Sequence, residues 1–341
     1  MKVPKARRLK SGTWFIQLRL DGQSYYVTAT TERDCRRRAE LIKAEHRSGK
    51  RMERNEEMTL RKACDAYIAK KRTARASPET VRGYIVIRDH RFPDVMDKPL
   101  GKVRDWQREY DKEAARLSPK TMKNTWSFLK SACKSSCGFV LPDIEQVKHV
   151  REEHLFLEPD QIKQFVPAAA KSKYAIPMLL CLSSCRSSEV QGLTWDNVDL
   201  AHNRIQIKGA VVRDENNQYV AKDDNKTVES ARYIPIFIPE LRAALEAVED
   251  KTGRVVTARP NTVYRNVNSL CKSLGLPEVG NHGLRHSFAS LCYSLEIPVK
   301  ITMQLGGWSD YNTVMRIYTH LSKKDVGKYT SELEQFYKNA T

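Results

Sequence analysis

No run of about 18 or more apolar residues occurs in the 341-residue chain, so a membrane-spanning helix is not expected. Met1–Lys10 is basic and lacks an apolar core, which argues against a secretory signal. A phosphate-binding glycine loop, a Walker motif and a dinucleotide fingerprint are all missing, so nucleotide-driven chemistry is not expected. The eight cysteines are scattered. Cys133/Cys137 and Cys181/Cys185 stand four apart rather than in a C-x-x-C spacing, with no paired histidines nearby. Reduced, buried thiols are expected rather than disulfides or zinc. Acidic residues are in short supply: 41 Asp/Glu face 59 Lys/Arg, for a net charge of +18.

That positive charge is unevenly spread. Residues 1–55 hold 15 Lys/Arg against 6 Asp/Glu, residues 56–157 hold 21 against 15, and residues 158–341 hold 23 against 20. The excess falls from +9 through +6 to +3. A polyanionic partner gripped by the first two segments explains the gradient. A solubilising basic surface is the alternative. With 40% hydrophobic and 29% charged residues, the chain has the balance of a soluble globular protein and the length for about two or three domains.

Residues 3–48 read as a small α+β unit. Trp14, Ile16, Leu18 and Leu20 alternate with Phe15, Gln17 and Arg19, the pattern of a half-buried strand. Asp21-Gly22 is a hairpin signal, Tyr25, Val27 and Ala29 continue the alternation, and Ala6–Leu9 is a candidate edge strand. Thr31-Glu32-Arg33-Asp34 has the form of a capping box, and the helix it opens is expected to run to about Gly49. A short basic sheet backed by one helix can lay its strands in a DNA groove. Residues 50–57 read as a charged linker or a solvated helix extension.

Residues 58–150 read as all-helical. Ser77-Pro78 and Ser118-Pro119 each place a Ser N-cap before Pro at the first helical position. Met122, Trp126, Leu129, Ala132 and Cys133 form a core stripe, with Lys120, Lys123, Lys130 and Lys134 facing out. In the remainder, Glu158-Pro159-Asp160 opens a helix, and an apolar helix from Tyr174 to Cys185 leads into Arg186. Strands are expected over 203–208 and 232–236, around a loop centred on 215–217, and helices return over 239–318. The expected fold is multidomain and mainly α. It has a small α+β sheet domain with linker (1–56), a helical domain (57–152), and a mixed α/β domain with a C-terminal tail (153–341).

Four clusters carry chemistry. They are Cys185-Arg186-Ser187-Ser188-Glu189, Lys226 within Asn225–Ser230, His282-Gly283-Leu284-Arg285, and Trp308 followed by Tyr318 within Arg316-Ile317-Tyr318-Thr319-His320. Attack on a phosphodiester builds negative charge on its oxygens, and a site without metal must meet that charge with fixed donors. An arginine fork matches two phosphate oxygens and stays protonated, so Arg186 and Arg285 can clamp both non-bridging oxygens. His282 lies three residues before Arg285 on one helical face and can hydrogen-bond a phosphate oxygen or exchange a proton. His282 and His286 are four apart, like a zinc pair, but position 283 is Gly and no third ligand is evident. No metal and no cofactor are expected.

This order of motifs resembles one family closely: the tyrosine recombinases, or phage-type integrases. The family's arginine box usually reads Gly-Leu-Arg where this chain has Ser184-Cys185-Arg186, and its second box is matched by Leu284-Arg285-His286-Ser287-Phe288-Ala289. The resemblance implies that a β-hairpin lysine, here Lys226, acts as general acid for the departing 5′ oxygen, with Lys222 and Lys208 as alternatives. It implies that Trp308 stands where the family more often has His. Trp308 offers one N–H donor and cannot be a base. Position 307 is an alternative register, which Ser309-Asp310 disfavours. Tyr318 is implied as the nucleophile, since of Tyr311, Tyr318 and Tyr329 it alone has the Tyr-Thr-His context. A free tyrosine has a pKa of about 10, and the arginine cluster would favour the phenolate. Attack would leave a 3′-phosphotyrosine and a free 5′ hydroxyl, with the bond energy kept in the link.

The resemblance covers essentially the whole chain and extends to the segments before the motifs. Ser11-Gly12-Thr13-Trp14 opening a strand, then Asp21-Gly22 and a Thr-rich step into a helix, is similar to the arm-binding domain of lambda-type integrases. The 57–152 segment is similar to the family's SAM-like core-binding domain. The implied protein is a recombinase that integrates or excises a phage genome or other mobile element in a bacterial cytoplasm. It would act as a homotetramer on double-stranded DNA with core and arm-type attachment sites. An excision factor and a host DNA-bending protein are partners the resemblance allows and the sequence does not decide. Two rivals are a type IB-like topoisomerase and a catalytically silent DNA-binding regulator. The arm-type segment argues against the first, and the full residue set against the second. In the tail, Tyr329, Leu333 and Phe336 recur as one helical stripe, which folds back on its own domain or docks on a neighbour.

Overall fold

Alternating apolar residues build an antiparallel sheet of β1 (Arg7–Arg8), β2 (Trp14–Leu20) and β3 (Gln23–Ala29), with β2 in the centre. Its inner face, Ile16, Leu18, Val27 and Ala29, closes on Cys35 and Ala39 of α1 (Glu32–Arg47). Thr31 caps that helix: its Oγ1 accepts from the Asp34 N–H at 3.1 Å and donates to Asp34 Oδ2 at 2.8 Å. This structure, a computed structural model, describes residues 3–20, 23–47, 58–148, 155–222 and 232–339. The Asp21-Gly22 turn, Gly49 and the 50–57 linker lie outside them, as does Lys226. The chain divides into two units, residues 1–151 with 213–218, and residues 152–212 with 219–341.

One residue of the first sheet departs from the alternation. Phe15 was expected to face outward, yet it is 2% exposed. It stacks on Tyr26 at 5.8 Å beneath the Arg7 guanidinium. Within the same unit, Arg104 lies over the Tyr26 ring at 5.4 Å, and Ser11 Oγ donates to Asp105 Oδ2 at 2.6 Å. The Arg104–Asp105 loop thus contacts that end of the sheet, while Arg19 at the other end stays exposed.

The helical part of this unit runs α2 (Leu60–Thr73), α3 (Pro78–His90), α4 (Pro93–Met96), α5 (Trp106–Ala114) and α6 (Pro119–Cys137). The expected stripe of α6 is buried, with Trp126 at the centre of Phe92, Trp106 and Tyr110. Lys120, Lys123 and Lys134 are exposed, and Lys130 is half-buried on Asp143. Ser118 caps α6 by accepting from the Thr121 N–H at 3.3 Å, whereas Ser77 makes no cap bond to α3. Proline alone sets the backbone there, because its fixed φ is already helical.

The second unit opens with α7 (Pro159–Ala170), capped by Glu158, and α8 (Ala175–Leu182). The expected apolar helix into Arg186 ends at Leu182. Ser184 takes a left-handed backbone with φ of 76°, and the Cys185 N–H turns back to the Leu180 carbonyl, closing a Schellman turn. Arg186 therefore sits on the turn as the cap of α9 (Ser187–Gly192). A three-stranded sheet follows in the order β4 (Val198–Asp199), β5 (Arg204–Ile207), β8 (Arg232–Pro235), beside a ribbon of β6 (Ala210–Arg213) and β7 (Tyr219–Lys222). Five helices complete the unit: α10 (Pro239–Glu246), α11 (Pro260–Ser273), α12 (Gly280–Ser294), α13 (Val299–Gly306) and α14 (Tyr311–Asn339). Helix α14 carries Tyr318 and runs on through the tail, where Phe336 is 67% exposed. The side chains of Tyr329 and Leu333 lie outside the described residues. All eight cysteines are free thiols, and seven of them are buried. No helix among the described residues is long and apolar enough to cross a membrane.

Candidate active site

Arg186 and Arg285 reach one point from different elements. Arg186 Nη2 donates to the Gly307 carbonyl at 2.8 Å, and Arg285 Nη2 donates to the same oxygen at 3.3 Å. Gly307 ends α13 with φ of 61°, a left-handed conformation that suits glycine and turns its carbonyl toward the two forks. A second bond ties Arg285 Nη1 to the Ser184 carbonyl. The Schellman turn at Ser184 thus has a use beyond stopping α8. Glycine is the usual residue at such a position. The serine here adds a bond from its Oγ to the Leu305 carbonyl at 3.3 Å, which ties the α8 turn to the end of α13.

The two arginines differ in environment. Arg186 is exposed, while Arg285 is 1% exposed, with its guanidinium 4.4 Å from the centre of the Trp308 ring. Burial, then the charge of Arg186, push the Arg285 pKa down, with Glu189 opposing and Arg232 adding to the depression. A guanidinium does not lose its proton under such conditions. The direction means that a buried cation lacks counter-charge, which an incoming anion would supply. Trp308 is 8% exposed, seats its ring against Gly306 and stacks on Phe288 at 6.1 Å. A side chain at Gly306 would collide with that ring.

Two groups to which the motifs gave no role lie under Arg186. Glu189 is buried and accepts from Arg186 Nη1 at 2.7 Å and from the Arg186 backbone N–H at 2.8 Å. Arg232, at the start of β8, reaches the same carboxylate through Nη1 at 3.1 Å and Nη2 at 2.9 Å. Burial alone would raise the Glu189 pKa, but the Arg232 hydrogen bond and charge, with those of Arg186, hold it at about 2. Glu189 was visible in the sequence as the last residue of the arginine box, without a role of its own. Arg232 read as an ordinary strand residue, and only a fold that brings β8 beside α9 marks it.

His282 is exposed on α12, three residues before Arg285, with its ring edge-to-face on His286 at 4.4 Å. His286 itself is buried in the helix. Tyr318 is half-buried among Tyr293, Thr302 and Ile297. Its hydroxyl shares a 2.9 Å hydrogen bond with Thr302 Oγ1 and donates to the Ile297 carbonyl at 3.5 Å. Burial raises its pKa, and the Thr302 bond opposes this only in part. The expected shift toward phenolate is therefore reversed in this arrangement. The hydroxyl is held by neutral groups on α13 and the loop before it, and desolvation sets the direction of the shift.

The model of the phage integrase family matches residues 155–325, half of the chain. The chain belongs to this family. Among curated relatives, the tyrosine recombinase XerD of Lacticaseibacillus casei is 27% identical over 183 residues, covering 50% of the chain and 57% of the relative. The chain spans about half to three-fifths of the length of the curated relatives it matches. Among solved structures, the Tn1549 transposon integrase in complex with circular intermediate DNA aligns with a TM-score of 0.61 at 19% identity, over 82% of this chain and all of that one. A lambda integrase dimer bound to a core site aligns with a TM-score of 0.52 at 16% identity, over 93% of this chain and 95% of that one. At these identities the chain shares their fold.

Proposed function

We propose that this protein is a site-specific DNA recombinase that cuts and rejoins DNA through a 3′-phosphotyrosine. The observation that carries the reading is the shared oxygen: two guanidinium forks from separate elements already converge on one acceptor. A phosphate oxygen in place of the Gly307 carbonyl would meet both. Arg186 and Arg285 hold the non-bridging oxygens, His282 bonds the phosphate and moves a proton, and Trp308 supplies an N–H and a seat for Arg285. Tyr318 Oη attacks phosphorus as its phenolic proton passes to His282, the P–O5′ bond breaks, and Lys226 protonates the 5′ oxygen. Attack requires Tyr318 to exchange Thr302 and the Ile297 carbonyl for the scissile phosphate. The reverse attack by a 5′ hydroxyl reseals the strand and needs no nucleotide.

Core DNA is gripped by the helical segment (57–152) together with the catalytic segment (153–341), and arm-type sites by the sheet segment (1–56). The charge excess toward the N-terminus supports this division. Four copies acting on two duplexes in a bacterial cytoplasm complete the reaction, with the exposed α14 tail as a means of linking neighbours. The test is a covalent-trapping assay on a nicked suicide duplex carrying the junction DNA of the protein's own genetic element. Wild type should form a protein–DNA adduct. Tyr318→Phe should bind the duplex and form none, because only the nucleophilic oxygen is lost. An adduct with Tyr318→Phe would overturn the assignment.

A further inference from the structure

The proposed reaction needs two arginines aimed at a phosphate, yet Arg186 has a carboxylate partner of its own. Glu189 could take both prongs of the Arg186 fork and turn it away from DNA. The structure holds it to one prong, at 2.7 Å, with the other prong on Gly307. What occupies the rest of the carboxylate is Arg232, which bridges both of its oxygens. The Arg232 side chain is 13% exposed, and its Nε–H is buried without a hydrogen-bond partner. Its guanidinium also lies flat against Gly307: a Cβ placed on that glycine would fall 2.6 Å from Arg232 Cζ and Nε. One residue therefore braces both the carboxylate that orients Arg186 and the peptide on which Arg186 and Arg285 meet.

We infer that Arg232 is a positioning residue for the phosphate clamp: it engages Glu189 so that one prong of Arg186 stays off the carboxylate, and it supports the Gly307 peptide. The inference rests on the recombinase reading above. Charge supports it as well. Arg186, Arg232 and Arg285 against Glu189 leave two positive charges, which match the two negative charges of a phosphodiester under attack. Without Arg232 only one remains. The buried carboxylate would then close on Arg186 with both oxygens, the preferred geometry of an arginine–carboxylate pair.

The test uses the full chain in single-turnover cleavage of the suicide duplex, with DNA affinity measured in parallel. Arg232→Met should cut about 100-fold more slowly, the scale of a misplaced catalytic group, with affinity within about threefold of wild type. Arg232→Lys should recover about tenfold of that loss, since an ammonium restores the charge but only one of two bonds. Adding Glu189→Gln to Arg232→Met should restore part of the rate, because the carboxylate that captures Arg186 is gone. A purely structural salt bridge predicts otherwise: losses that add, or a lowered melting temperature with wild-type cleavage well below it. Either result overturns the inference. If Arg232→Met does not fold, the Lys variant decides, and wild-type cleavage with Lys sinks the two-pronged model. Wild type that forms no adduct at all would remove the recombinase reading itself. Wild type that cleaves alongside an equally active Arg232→Met removes only the role of Arg232.

Discussion

Replacing Glu189 with Gln probes the charge balance beneath the clamp. Burial opposes ionisation of this carboxyl, but Arg232 and Arg186 outweigh burial and hold its pKa at about 2, against 4.5 for the free group. A carboxylate depressed in the fold contributes stability that is fully present above its unfolded pKa and is lost as pH falls through its folded one. The window therefore runs from about pH 4.5 down to about pH 2. At roughly 1.4 kcal/mol per pKa unit the full contribution is about 3 kcal/mol. By about pH 3 the linkage relation removes about 2 kcal/mol of it. Glutamine cannot titrate. The variant is expected to be less stable near neutrality by roughly 3 kcal/mol, because Arg232 is left buried without its counter-charge. That gap should narrow by about 2 kcal/mol between about pH 6 and about pH 3. Scanning calorimetry at the two pH values measures it, following whichever transition the substitution moves. Parallel pH dependence in the two proteins would refute the charge arrangement described for this site.

Arg186→Lys and Arg285→Lys should each bind DNA and be severely impaired in adduct formation, because a point charge cannot reproduce a forked contact. Adduct formation should be unchanged by EDTA, and activity that returned with a divalent cation would sink the metal-free mechanism. Gly307→Ala should cost about 1–2 kcal/mol in thermal unfolding, since a left-handed backbone penalises any Cβ, and here that Cβ also meets Arg232. An unshifted melting temperature would mean that the α13 turn relaxes freely. Removing residues 1–55 takes away +9 of the +18 net charge. On arm-type DNA the slope of log K against log salt should then fall by roughly 0.9 for every phosphate the shortened protein no longer neutralises. An unchanged slope would assign that segment to scaffold.

Most of the elements were legible in the sequence because their causes are local. The Thr31 and Ser118 caps, the Ser-Pro helix starts, the α6 stripe and the β2–β3 alternation depend on residues within a turn or two of each other. The positions of Arg186, His282, Arg285, Trp308 and Tyr318 were legible as well, through short motifs. What those residues meet was decided only by tertiary structure. Phe15 is buried with Tyr26 stacked on it and Arg7 over its ring, while Arg104 lies over Tyr26 in turn, contacts that strand periodicity cannot register. Arg285 is buried under Trp308, and Tyr318 rests on Thr302 rather than among arginines, because α13 and α14 fold against α12. Arg232 and Glu189 form one ion pair across the step from β8 to α9. Periodicity and caps act through neighbours in the chain, whereas a charge finds its partner through space, and that distance is set only once the helices and strands have packed.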